Sequence, residues 1–173
     1  MTNFSKKIFA VIALVLVSFG GVAIYTSFYA SNADSLPKMG LIEEVQLVDL
    51  KINFLAKTDT GAMTSVINAQ GIERFQKNGK DWVRFTIVNK SGTSKRLERP
   101  IFRIVDIQRA GAPDEYRPVV LFKMCLGGFM KEAQFALKNR SAMGYPMLIG
   151  RRIINKNFLV DPSKKRLTKP TCK

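Results

Sequence analysis

The sequence contains no histidine. That absence removes Ser-His and Cys-His nucleophile pairs, the HExxH zinc helix and any histidine-rich transition-metal site. Any catalysis has to rest on carboxylates, lysines, hydroxyls or thiols. Cysteine is scarce as well. Cys125 and Cys172 cannot build a four-thiolate zinc site, are too few for a disulfide-dense mini-protein, and form at most one bridge. Acidic residues are few: 13 Asp+Glu stand against 28 Lys+Arg, a formal net charge of +15. Such a field attracts acidic partners, whereas the bland reading is a solvated surface, because the longest basic run is only Lys164-Lys165-Arg166. There is no repeat and no low-complexity tract. What is present, 46% hydrophobic and 24% charged residues in 173, is the composition of one folded domain with a short appendage.

The appendage is N-terminal. Residues 8–30 carry no charge, and as a helix they would span roughly 35 Å, enough for a bilayer core. Lys6 and Lys7 precede the run, and Tyr25, Phe28 and Tyr29 close it as an interfacial belt would. The expected order is a cytoplasmic N-terminus over 1–7, a transmembrane anchor over 8–30 and a polar tether over 31–39. A domain over 40–167 and a tail over 168–173 follow. A cleaved signal peptide is the competing reading, since Ser31 and Ala33 are small residues at the positions a signal peptidase reads. Either way the domain is expected on the periplasmic side of the inner membrane, with no nucleic-acid partner. Export would also permit a Cys125–Cys172 disulfide; a buried thiol is the alternative reading of Cys125.

After the tether come short apolar runs at 41–50, 52–58, 64–69, 82–88, 100–107, 118–126, 133–137, 147–149 and 158–160. Their length and Val, Ile and Phe content predict strands. Turn signals separate them at 76–80, 89–95, 110–115, 127–128 and 138–145. The expected fold is all-β, a barrel or sandwich with one short helix after Gly150.

The most informative stretch is Lys57-Thr58-Asp59-Thr60-Gly61-Ala62. A carboxylate at a strand end is followed at once by a small hydroxyl and a glycine. This is the D-T-G-A pattern of aspartic proteases, where two carboxyls share one proton, one polarising the carbonyl while the other deprotonates water. Thr60 supplies a hydroxyl to lock the turn, and Gly61 lets backbone approach backbone. The second half of the pattern, an apolar pair ending in glycine, is supplied by Met147-Leu148-Ile149-Gly150-Arg151. Together these resemble a retropepsin, a single-lobe closed barrel with one D-T-G per chain whose dyad forms between two chains.

The blocks Gly40-Leu41-Ile42-Glu43, AKTDTGAMTSVINA at 56–69, Trp82-Val83-Arg84-Phe85, Arg117-Pro118-Val119-Val120, Asn139-Arg140-Ser141-Ala142-Met143, Tyr145-Pro146-Met147 with the residues up to Arg151, and Val160-Asp161-Pro162 extend the likeness. They are similar to a bacterial family labelled ATP-dependent zinc proteases and regarded as retropepsin-like, some relatives of which are associated with ligases that add glutamates to proteins. The resemblance implies a peptidase-like domain with Asp59 catalytic. The zinc and ATP of the label find no support, since there is neither HExxH nor a P-loop; no metal and no cofactor are expected.

Other candidates have plainer readings. Asp161, before Pro162, reads as a turn cap because no Thr-Gly follows it, and Asp49, Asp81, Asp106 and Asp114 read as turn or surface residues. Ser35-Leu36-Pro37-Lys38 matches S-x-x-K but lies in the tether, and Ser141 has no base. Glu43 and Glu44 are either surface ion pairs or partners of a cation such as Arg151. Arg84, Arg117, Arg140 and Arg151 each sit beside apolar residues and either brace loops or bind a substrate carboxylate, with Ala62, Ile149 and Gly150 alongside. The resulting expectation is a membrane-anchored periplasmic aspartic endopeptidase, homodimeric for catalysis, acting on protein or peptide and preferring acidic peptides. The alternative is a non-catalytic basic domain of the same fold that holds an acidic envelope component.

Overall fold

In the computed structural model of the chain, the described residues are 36–109 and 111–172. Those from Pro37 onward belong to one compact unit. Its strands are β1 (Lys38–Gly40), β2 (Ile42–Leu47), β3 (Ile52–Thr58), β4 (Ser65–Lys77), β5 (Lys80–Val88), β6 (Ser94–Pro100), β7 (Arg103–Arg109), β8 (Ala112–Leu126), β9 (Phe129–Lys138), β10 (Met147–Ile149) and β11 (Leu159–Asp161). A single short helix, α1 (Arg151–Ile154), follows β10, and a 3-10 turn occupies Val48–Leu50.

Period-two patterning explains the strands. In β3, Ile52, Phe54, Ala56 and Thr58 are buried while the residues between them face outward. In β5, Val83, Phe85 and Ile87 point into the core. Phe85, Phe122 and Phe135 meet edge to face at its centre, with ring centroids 6.4 and 6.0 Å apart. The β4–β5 connection is two residues, Asn78 and Gly79, both at positive φ, which matches the twist of the flanking strands.

Six strands close a ring. β10 pairs in parallel with β3, followed by β2, β8, β9 and β4, and β4 returns to pair antiparallel with β10. Closure is uneven, because β10 supplies only three residues to it. β5 and β6 extend from β4 as a wing, β7 folds back on β8, and β1 pairs with β11 in a separate small sheet. The all-β expectation with one short helix therefore holds, while the evenly closed barrel is replaced by a ring with wings.

Local boundaries differ from the sequence reading for physical reasons. The run at 100–107 is two strands, since Ile101 donates to the Asp81 carbonyl and Phe102 to that of Val119, so the chain crosses from the edge of β5 to β8. β1 occupies the last residues of the stretch read as tether, where Met39 is fully buried. The anchor expected over 8–30 lies outside the described residues. Among the described residues no helix is long and apolar enough to cross a membrane. The expectation of a single-pass inner-membrane protein facing the periplasm finds no support among the described residues.

Candidate active site

The Asp59 loop joins β3 to β4 and is held from behind. Asp59 donates its backbone N–H to the Ile149 carbonyl at 2.9 Å, and Arg151 and Arg152 donate theirs to Ala62 and Met63. Gly150 fits here for lack of a side chain: a Cβ would lie 2.9 Å from the Ala62 carbonyl oxygen and 3.0 Å from that of Met63. Its N–H donates to Ser65 Oγ at 3.0 Å in the buried interior. The carboxylate is held from the front, as Asp59 Oδ1 accepts from the Gly61 and Ala62 N–H groups, each at 3.1 Å. One oxygen is thereby fixed by the turn, and the half-buried side chain borders an open cavity.

That cavity has a volume of about 520 Å³ and is bordered by Asp59, Gly61 and Ala62 on one side and by Val105, Asp106 and Ile107 of β7 on another. Arg117 and Arg140 border it too. Burial, and then the neighbouring Arg117, lower the Arg140 guanidinium from its ordinary pKa, while the Asp59 carboxylate pulls it back up. Burial lowers Arg117 as well. Arg117 Nη2 meets Glu115 at 2.8 Å, yet its buried Nε has no hydrogen-bond partner. Arg140 is braced rather than loose: its backbone N–H donates to Asn68 Oδ1 and its Nε to the Tyr145 carbonyl at 3.0 Å. Half-buried cations beside a carboxylate make a site suited to an anionic ligand group.

The structure thus gathers Asp59, Gly61, Ala62, Arg117 and Arg140 at one cavity, with Ile149, Gly150 and Arg151 behind the loop. Arg151 Nη1 reaches the Thr60 carbonyl at 3.3 Å. Thr60 itself is exposed; the hydroxyls that tie the loop to its surroundings belong to Thr58, donating to the Gly40 carbonyl at 2.7 Å, to Thr64 and to Ser65. Arg84 does not join the cavity. It lies on the β5 wing, paired with Glu98 at 2.8 Å and stacked over Phe75. Asp161 caps its turn, accepting from the Ser163 N–H and hydroxyl. Cys125 and Cys172 are bridged, with Cα atoms 5.9 Å apart.

Two contributors escaped the sequence reading. Asp106, read as surface, borders the cavity, because the β7–β8 pairing swings it over the loop. Arg103 donates to Thr64 Oγ1 at 2.8 Å and to Gln134, and burial followed by the nearby Arg152 lowers its guanidinium pKa. Arg103 lies inside the run read as one strand, and nothing in its local pattern marks it.

A β ring whose Asp-Thr-Gly loop is backed by an Ile-Gly-Arg segment defines a single-lobe, retropepsin-like domain. Residues 38–171 match the RimB-like family, described as retropepsin-like aspartic endopeptidase RimB, and the chain belongs to that family. Membership in a zinc-protease family is not what the comparisons show. A solved structure of a Legionella pneumophila protein of unknown function superposes with a TM-score of 0.66 and 34% sequence identity, covering 78% of this chain and 100% of that one.

Among curated proteins, a probable alpha-L-glutamate ligase of Shewanella pealeana is 37% identical over 112 residues, covering 63% of this chain. One of Desulfotalea psychrophila is 32% identical over 112 residues, covering 62% of this chain. The chain spans only 24% of the length of either relative. These names correct the expected function. The relatives that share the domain are called glutamate ligases, not envelope peptidases, and the membrane-anchored periplasmic endopeptidase is withdrawn with its localisation.

Proposed function

We propose that the chain is an aspartic-type hydrolase that acts on glutamate-rich peptide, the kind of product a glutamate ligase makes. The observation that carries this reading is the shared cavity of Asp59, Arg117 and Arg140. The names of the relatives support the choice of glutamate, and the family description supports the aspartic-type chemistry. Asp59 occurs once per chain in this setting, so the dyad requires the Asp59 of a second copy. Two such carboxyls sharing one proton can take a proton from water as it attacks the carbonyl and return one to the departing amine. Arg117 and Arg140 would hold a glutamate side chain beside the scissile bond.

The test is hydrolysis of α-linked oligoglutamate by the purified chain, with oligolysine as control. Cleavage of the acidic peptide is expected, with activity per chain rising with protein concentration as dimers form. Absence of cleavage at any concentration would overturn the reading. Salt-sensitive binding of oligoglutamate without cleavage, equal in Asp59→Asn, would favour a non-catalytic basic domain instead.

A further inference from the structure

Glu43 is a carboxyl group with no solvent exposure, and the donors that meet it among the described residues are uncharged. It is satisfied by donors from two distant parts of the chain. From β1 it receives the Gly40 N–H. From the C-terminal segment it receives the Leu167 N–H at 3.1 Å, the Thr168 N–H at 2.9 Å and the Thr168 hydroxyl at 2.8 Å. Most of its partners therefore come from a segment with no helix or strand of its own. A buried carboxylate that loses its donors is strongly destabilised, so this group holds only while the segment stays in place.

Residues 164–172 are laid down as a strap. Lys164 accepts from the Leu41 N–H, Arg166 donates to the Ile42 carbonyl, and Thr171 donates to the Gly127 carbonyl at 2.8 Å. The strap lies so close that a Cβ on Gly40 would stand 2.6 Å from the Lys164 carbonyl oxygen. Its far end is locked covalently by the bridge from Cys172 to Cys125 of β8. On the other side of Gly40 lies the functional loop. The Gly40 carbonyl accepts from the Thr58 hydroxyl at 2.7 Å, and the Leu41 carbonyl accepts from the Thr58 N–H at 2.9 Å. Thr58 is the residue before Asp59. One dipeptide, Gly40-Leu41, thus links the strap and Glu43 to the start of the Asp59 loop.

We infer that the Cys125–Cys172 disulfide is a redox latch, and that Glu43 is the positioning residue that passes its state through Gly40 and Thr58 to the Asp59 loop. Cys125 is fully buried and Cys172 only partly so, which makes the Cys172 sulfur the point of attack for an external dithiol. One thiolate of the dithiol bonds to Cys172 and Cys125 leaves as thiolate. The second thiol then displaces Cys172, leaving two protein thiols and an oxidised dithiol, a balanced two-electron exchange. With the strap released, Glu43 loses the Leu167 and Thr168 donors, water enters, and the hold of Gly40 on Thr58 slackens.

The test is amide hydrogen exchange on the full chain, oxidised and after reduction with dithiothreitol, followed at 164–172, 40–43 and 57–62, with 82–88 of β5 as control. Reduction should raise exchange in the first three segments, roughly tenfold at 57–62, and leave 82–88 unchanged. Cys125→Ser/Cys172→Ser should reproduce the reduced pattern and ignore dithiothreitol. Glu43→Gln with the bridge intact should by itself raise exchange at 57–62. If that variant fails to fold, Thr168→Val, which deletes one donor, should give a smaller rise at the same place. A rise confined to the strap would make the disulfide a passive staple and overturn the inference, as would an equal rise at 82–88 or an unchanged 57–62 in the Glu43 or Thr168 variant. Only the effect on hydrolysis rests on the proposed reaction. Exchange is read without substrate, so loss of cleavage activity and loss of coupling are separately visible.

Discussion

Arg84 and Arg140 occupy similar sequence settings, each beside apolar residues, yet the two regions around them behave in opposite ways. On the β4–β5–β6 wing, Arg84 is more than a third exposed and meets Glu98, Glu73 and the Phe75 ring, so its charge is matched and bathed in solvent. At the cavity, Arg140 is half-buried, faces a second cation in Arg117, and has Asp59 as the carboxylate that raises its pKa. A matched surface charge contributes little to stability, whereas a partly buried and incompletely matched one beside a cavity is suited to an anionic group.

The largest test of this contrast removes the carboxylate from the cavity. Asp59→Asn should lower hydrolysis of oligoglutamate by roughly a hundredfold to ten-thousandfold with an unchanged circular dichroism spectrum, as measured by peptide cleavage. Next, Arg140→Ala should reduce kcat/KM on the same peptide by roughly tenfold to a hundredfold and leave a neutral peptide nearly unaffected. Equal losses on both peptides would make Arg140 a brace only.

Gly150→Ala sharpens the comparison from the structural side. The forced contact with the Ala62 and Met63 carbonyls should cost about 1–3 kcal/mol in denaturant unfolding and loosen the loop. Arg84→Ala should leave hydrolysis intact and shift the melting temperature by less than about 4 °C.

The smallest effect is in acid. The hydrogen bond from Arg84 holds the Glu98 carboxyl below its ordinary pKa of 4.5. A depressed folded-state pKa means that the stabilisation is present above pH 4.5 and is lost as pH falls through the lower folded value. Arg84→Ala should therefore flatten the pH dependence of stability slightly at that acidic end, measurable by thermal melts from pH 6 downward.

The unequal legibility of these features has physical causes. Asp59 could be read from the chain because its chemistry is local, a turn that presents one oxygen to two N–H groups. The close backbone approach expected at Gly61 is found instead at Gly150, since a Cβ on Gly61 would meet only Asp59 Oδ1 at 3.4 Å. The strands around them followed from alternation, as in Ile52, Phe54 and Ala56. Arg103 and Asp106 could not be read, because their importance comes from the fold-back of β7 onto β8, a long-range pairing with no local mark. Glu43 was seen only as half of an acidic pair. Its burial depends on a strap more than a hundred residues away, at a separation of 125 from Thr168. Arg84 and Arg140 could not be told apart, since adjacent residues do not determine whether a guanidinium meets water.

The three residues of β10 lie between β3 and β4 and lead directly into Gly150. The seam of the cylinder and the scaffold of the Asp59 loop are consequently the same few peptide groups. A slip of one residue there would unzip the wall and misdirect the aspartate in a single stroke. Variants selected for hardiness should therefore accumulate on the wing and in the hairpins, leaving this joint as it is.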